Sequence, residues 1–312
     1  MTIALLRAVR EEAIRRNGDA QFWTMSRVSA LLIGNHEILK QHEAGNRWAD
    51  SGVDPASTLT FSGRCSLIES LRSNHVSSRS LGVEFKQVVG KATIFFSFTY
   101  GDNFFEMVDA AECFLEKNPM MSSEKTFFWF DMFVNDQWVA LDRDFEWWAT
   151  TFREAVKEIG HTLLFLSPCL SPNMLTRVWC LYEISCSEKI SIALSRKELA
   201  SFQNTLRTDF NKIVASLCKI DLEKCDSFLK EDKEKIFNVV RSMEGGFHSF
   251  NVKVMKLIRE WIAASARELT VGFSDGEATE QQLRDLNRTA CLLEDQGNLE
   301  EAKVYYQRAL RG

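Results

Sequence analysis

The sequence predicts an α/β protein built on a parallel sheet with helices on both faces. Strand-like and helix-like stretches alternate between residues 92 and 194, the pattern that βαβ units produce. Two of the strand-like stretches, ATIFFSF (92 to 98) and KTFFWFD (125 to 131), are rich in aromatic and β-branched residues, which suit a pleated, packed surface. A third, within GHTLLFLSP, places Leu163, Leu164, Phe165 and Leu166 in succession. Four consecutive apolar residues leave no polar face, as expected of a strand covered on both sides.

Composition narrows the class. With 312 residues, about two domains are expected, and 45% hydrophobic residues supply a sizeable core. A net charge of -5 gives no electrostatic case for nucleic acid or an anionic membrane. The eight cysteines form no CxxC pair and no Cys/His cluster with zinc spacing. They read as reduced thiols in a cytoplasmic protein, with no metal site expected. No apolar run approaches the roughly 20 residues of a membrane span. In the N-terminal stretch Arg7 interrupts any signal-peptide core, while Glu11 and Glu12 argue against a transit peptide.

In chain order, residues 1 to about 45 read as two helices, the first with Leu5, Leu6, Val9 and Ala13 on one face and the second through Val28, Leu31, Leu32 and Ile38. Residues 46 to 82 have loop composition, with a short helix around Leu67 to Leu71. Residues 1–89 are thus expected to be an N-terminal helical extension and linker. After the 92–98 strand and the turn TYGDN, Phe104, Val108, Ala111 and Leu115 mark one helical face, closed by Asn118-Pro119. The strand 125–131 ends in Asp131, and an irregular stretch leads to a helix with Trp148, Phe152, Ala155, Val156 and Ile159 inward. His161 opens the third strand, most simply as a residue satisfied at a strand start. Ser167-Pro168 ends it, because proline cannot donate to a ladder. KISIAL (189 to 194) is the fourth strand.

From Ser195 the chain turns helical, with pieces at 202–206, 210–217 and 236–240. Gly245-Gly246-Phe247 breaks before a longer helix with Val252, Met255, Ile258, Trp261 and Ile262 on one face. VGFSDGEAT reads as a linker ahead of the closing segment, 280–312.

The candidate chemistry lies on the helix after the third strand. Either Ser171-Pro172 or Thr176 starts it, and Glu183 stands four residues after Trp179, on the same face. The bland reading of Glu183 is a solvated helix carboxylate. Its neighbours Val178, Leu181, Tyr182 and Ile184 are nearly all apolar, so an acid there needs a partner or an upward pKa shift. A helix of this kind starts at the carboxyl end of a strand, where open α/β sheets bind ligands. Right-handed crossovers put every strand's carboxyl end on one side. Ser97 to Tyr100, Asp131 and the start of the 175–188 helix are therefore expected to converge.

These pieces carry a resemblance. FFSFTYGDNFF, FFWFD, FREAVKEIGHTLLFLSP and TRVWCLYEI, in that order and spacing, resemble a TIR (Toll/interleukin-1 receptor) domain spanning residues 90–266. In the closing segment, Leu286, Ala290, Leu293, Gly297, Glu301, Ala302, Tyr305 and Ala309 resemble a tetratricopeptide repeat of the kinesin-light-chain kind. One repeat cannot bury its own apolar face, so more repeats are expected in the natural protein, with a frayed terminal hairpin here.

The resemblance implies a flavodoxin-like parallel sheet and two alternative functions. Some TIR domains cleave NAD+ at the nicotinamide-ribose bond with the glutamate of a W-x-x-x-E helix. Glu183 stands at that position as the catalytic carboxylate, with NAD+ as a substrate and no other cofactor. Substrate-binding residues carried over with it are Trp179, Trp129 flanking the nicotinamide, Phe98 and Thr99 at the first turn, and Asp131. Other TIR domains only self-associate and recruit protein partners, here joined by the repeat. The chain departs from cleaving members at Thr99-Tyr100-Gly101, where a strong polar group is common, and after Asp131, where an apolar segment bearing Trp138, Trp147 and Trp148 replaces the usual glycine. Core packing is the simpler reading of Trp148. For Trp129 and Trp179 core and site remain equally open.

Overall fold

Four parallel strands form one sheet in the order β2-β1-β3-β4. They are β1 (Ile94–Ser97), β2 (Phe128–Trp129), β3 (His161–Phe165) and β4 (Lys189–Ala193). A computed structural model of the chain describes residues 1–17, 89–134, 143–217, 221–227, 230–273 and 278–311. The expected second N-terminal helix, the 46–82 linker with its short helix, and Trp138 lie outside the described residues. The rest divides into two compact units, Met1–Ser167 with Trp179–Arg196, and Pro168–Val178 with Lys197–Gly312.

The first unit carries the sheet. Its helices are α1 (Ile3–Asn17), α2 (Phe104–Lys117), the single-turn α3 (Asp131–Val134), α4 (Phe145–Ile159) and α5 (Val178–Cys186). Local chemistry sets their ends. Asn103 caps α2 by accepting the N–H groups of Phe105 and Glu106 at 2.9 and 3.1 Å, donors that the first turn leaves unpaired. Asp144 caps α4 through the Trp147 N–H. Gly160 stops α4 at φ 71°, a left-handed position that glycine adopts without penalty. Neither proposed cap opens α5: a 3-10 turn, Asn173–Thr176, fills the space between Pro172 and α5.

Strand alternation sorts the core onto two faces. On one, Ile94, Phe96, Phe128, Phe130, Leu163 and Phe165 pack with Leu5, Leu6 and Val9 of α1 and with Phe104, Val108 and Ala111 of α2. On the other, Phe95 and Trp129 meet Phe152, Val156 and Trp148 of α4 and Trp179 of α5. Helices thus cover both faces, and β3 is buried at all five positions. Trp148 stacks on Phe152 at 5.6 Å, the core role expected of it.

Two expectations change here. The first helix does not belong to an extension: Leu5, Leu6 and Val9 are fully buried in the sheet's own core, and Arg7 Nε donates to Glu112 of α2 at 2.6 Å. The second strand is also shorter than 125–131. Thr126 N–H turns back to Ser122 O at 2.9 Å and Asp131 opens α3, leaving Phe128 and Trp129 in the ladder. On its outer side Phe128 N–H donates to Met1 O at 2.7 Å.

The second unit is helical: α6 (Arg196–Thr208), α7 (Phe210–Leu217), α8 (Lys230–Ser242), α9 (Gly246–Leu269), α10 (Glu280–Asp295) and α11 (Leu299–Arg311). The inward face of α9 runs through Phe250, Val254, Ile258, Ile262 and Ala266, the i, i+4 ridge. Val252, expected inward, is 44% exposed, because a position two residues from Val254 points elsewhere on a helix. Trp261 stacks on Phe202 at 4.5 Å.

A Thr279–Gln282 capping box starts α10, and Gly297 at φ 77° turns the chain into α11. Leu286, Ala290, Leu293 and Ala302 are buried. The hairpin packs on α9, which covers part of its apolar face, while Leu299, Val304 and Leu310 of α11 stay exposed. Arg267 of α9 grips Glu301 through two bonds of 2.7 Å, and Thr289 Oγ1 reaches Ala266 O at 3.5 Å.

Burial rather than this ion pair is expected to hold the hairpin. Leu293→Ala should cost roughly 2–5 kcal/mol and erase amide-exchange protection over residues 283–310. Arg267→Ala, which breaks a pair about one-third exposed, should cost about 1 kcal/mol or less. Unchanged protection in Leu293→Ala would reject this account.

Candidate functional site

The strand order reverses between β1 and β3, so the segments leaving their carboxyl ends turn to opposite sides of the sheet. Parallel pairing of Phe95, Phe96 and Ser97 with Thr162, Leu163 and Leu164 brings the end of β1 beside the end of β3. The polar groups that gather there belong to β1, the turn after it, α3 and α5.

Ser97 is the polar residue in an otherwise apolar strand, and its side chain is buried. Its hydroxyl donates to Glu183 Oε2 at 2.5 Å. Alternation puts Ser97 on the face of Phe95 and Trp129, the face that α5 covers. Two further bonds fix α5 there. Cys180 Sγ donates to Phe98 O at 3.4 Å. Ser187 Oγ lies 2.7 Å from both Thr162 Oγ1 on β3 and Glu183 O. The backbone around Glu183 is therefore tied to β1 at one end and β3 at the other.

A second acid lies close by. Tyr100 OH donates to Asp131 Oδ2 at 2.5 Å, and Met132 N–H donates to Asp131 Oδ1 at 2.7 Å. Burial pushes the Asp131 carboxyl up to about 6, against the pull of these donors. Burial likewise pushes Glu183 up to about 8; the Ser97 hydrogen bond opposes this and the Asp131 charge adds to it. Tyr100 is raised well above its ordinary value by its own burial and by Asp131 and Glu183. Near neutral pH, Glu183 is mostly the neutral acid in this closed arrangement.

The aromatics divide by face. Trp129 stacks on Phe95 at 6.4 Å. Trp179 packs against Phe145, Phe152 and Tyr182 at 5.5–5.9 Å. Both share the Glu183 face, and both are partly exposed. Among the described residues the buried Trp129 Nε1 has no acceptor, a rare condition for a buried donor. Phe98 does not bring its ring to Glu183: the ring lies with Phe96 and Phe130 on the opposite face, and only its carbonyl meets α5. Thr99 serves the turn, its N–H donating to Asp102 Oδ2 at 2.8 Å. Ser97 and Tyr100 lie in the segment expected to converge here, but the sequence reading gave neither hydroxyl a role. A hydroxyl in a doubly buried strand must find a partner, and that signal was available for Ser97.

His161 is satisfied at its strand start, Nε2 lying 2.9 Å from Ser191 Oγ. Among the described residues no group of three or more His, Cys, Asp or Glu is placed to hold a metal. No helix among them is long and apolar enough to cross a membrane. No family model, curated protein or solved structure matches the chain.

The Glu183 shift has a thermodynamic signature. A folded value of about 8 against 4.5 means that folding favours the neutral acid. That advantage is complete below about pH 4.5 and is lost as pH rises through 8. Glu183→Gln keeps the shape and cannot ionise. The variant should gain stability over the wild type as pH rises from 5 to 8.5, by on the order of a few kcal/mol. Unfolding temperatures of both proteins across that range test this; parallel curves would show an unshifted glutamate.

Proposed function

We propose that this chain cleaves NAD+ at the nicotinamide-ribose bond, with Glu183 as the catalytic carboxylate. The observation that carries the reading is Glu183 itself. It is a buried acid whose hydrogen-bond donor is a neutral hydroxyl, set where the order of a parallel sheet reverses, on one face with Trp129 and Trp179. The strand order 2-1-3-4 agrees with the start of a flavodoxin-like arrangement. The W-x-x-x-E spacing of Trp179 and Glu183 is that of NAD+-cleaving TIR domains.

The chemistry suits these residues. When the bond breaks, its electron pair leaves with neutral nicotinamide and positive charge develops on the ribose. An ionised Glu183 stabilises that charge. Water adds at the ribose carbon and gives up a proton, which yields ADP-ribose, nicotinamide and a proton. The ring faces of Trp129 and Trp179 suit flat bases, while Ser97 holds the carboxylate and Asp131 lies next to it.

A second reading has its own support. Glu183 is only 8% exposed, as a purely packed carboxyl would be. The helical hairpin of α10 and α11 offers a surface for protein partners. In that reading the chain is a non-catalytic assembly module acting through self-association and partner binding.

Nicotinamide release by concentrated protein separates the two. The cleavage reading expects release by the wild type and a loss on the order of 100-fold or more in Glu183→Gln. No release by the folded wild type supports the assembly module. Equal release by both proteins removes Glu183 from the mechanism.

A further inference from the structure

We propose that the outer edge of β4 is a pairing surface for a second copy of this chain, whose own β4 joins it antiparallel about a twofold axis at Ser191. The inference stands apart from the chemistry of Glu183. It names a surface, a partner and a register, and it holds whether or not NAD+ is cleaved.

The two edges of the sheet differ. At β2 the edge is closed: Phe128 N–H donates to Met1 O and the Met1 nitrogen donates to Phe128 O, both at 2.7 Å. The other outer strand is β4, and among the described residues no strand lies beyond it. A flavodoxin-like sheet has a fifth strand at that place. The register shows which groups are left over. Lys189 N–H donates to Gly160 O, and Ala193 O accepts from Leu166 N–H. Alternate residues of a strand direct their backbone groups to opposite sides. Lys189, Ser191 and Ala193 therefore serve β3, while Ile190 and Ile192 direct N–H and C=O outward. Ile190, Ser191 and Ile192 are half-buried and Lys189 is exposed. A row of unpaired groups on such an edge is a template for another strand.

The row fits a copy of itself. With the axis at Ser191, Ile190 stands opposite Ile192 of the second copy, and Ile192 opposite its Ile190. All four are outward-directed residues, so each pair exchanges two hydrogen bonds. Ile190 and Ile192 share the face of their β3 partners Thr162 and Leu164, so the two β-branched pairs pack side by side on one face. Lys189 falls opposite Ala193 and Glu188 opposite Leu194, so no like charges oppose each other, an arrangement that would destabilise the pair. A parallel copy in the same register would set Lys189 against Lys189. The twofold pair also uses up both edges and closes at two copies.

Sedimentation velocity on the full chain over a wide range of concentrations reads the oligomer, and a dimer that grows with concentration is expected. Ile190→Pro removes an outward N–H that β3 does not use, and edge positions of this kind accept proline. That variant should stay monomeric where the wild type is dimeric, with its unfolding temperature little changed. Ser191→Cys tests the register without proline. Its two thiols face each other at a non-hydrogen-bonded position, where Cα atoms lie about 4.5 Å apart, within reach of a disulfide. Mild oxidation should link two copies through position 191, read by peptide mass spectrometry, whereas Lys189→Cys should not link to itself.

A wild type that is monomeric at every concentration overturns the proposal. So does a dimer that persists in Ile190→Pro, or a link that forms as readily at position 189 as at 191. The oligomer is read without substrate, so its absence says nothing against the cleavage reading.

Discussion

The reversal of strand order between β1 and β3 is the constraint on which the first unit depends. Parallel strands need crossovers, and crossovers are right-handed. The step from β1 to β2 therefore carries α2 on one face, while the steps from β2 to β3 and from β3 to β4 carry α4 and α5 on the other. That alternation buries both faces and lets β3 be apolar throughout. It also leaves the carboxyl ends of β1 and β3 side by side. Ser97, Tyr100, Asp131 and Glu183 meet there although they span 86 residues of sequence between Ser97 and Glu183.

Keeping two acids in that place is costly. Apolar residues of similar volume would pack without the penalty of burying ionisable groups, and the Asp131 charge raises the cost of ionising Glu183. The hydroxyls of Ser97 and Tyr100 compensate only in part, since a neutral donor offsets less than a cation does. Sites that spend stability in this manner are where function concentrates. The supports of α5, from Cys180 to Phe98 O and from Ser187 to Thr162, hold the acid in one position rather than lowering that cost.

The second unit solves a different problem. A two-helix hairpin has more apolar surface than its own contact hides. Here α9 lies along it, and small residues let the backbones approach: Ala263 and Ala266 on α9, Ala290 on α10, Ala302 on α11. The Arg267–Glu301 pair at the edge of that contact sets register more than it adds strength, because both side chains are about one-third exposed.

Much of this was legible in the sequence because it depends on local periodicity. The apolar run Leu163–Leu166 announces a doubly covered strand, and Asn118-Pro119 announces the end of α2. Glu183 stood out because an acid among Val178, Leu181, Tyr182 and Ile184 has no local partner. Periodicity cannot say which face a strand residue takes when both faces are apolar. Phe98 looked like a site residue and is core on the far side, while Ser97, one position away, carries the hydrogen bond. Likewise α1 reads as an amphipathic helix anywhere in a protein, and only the packing against α2 and the sheet decided that it belongs to the central core. The sequence by itself determined the kinds of elements and the acid that needs a partner. The tertiary structure alone decided the partners, because burial and hydrogen bonding between Ser97 and Glu183, or between Arg7 and Glu112, depend on distances that no local pattern encodes.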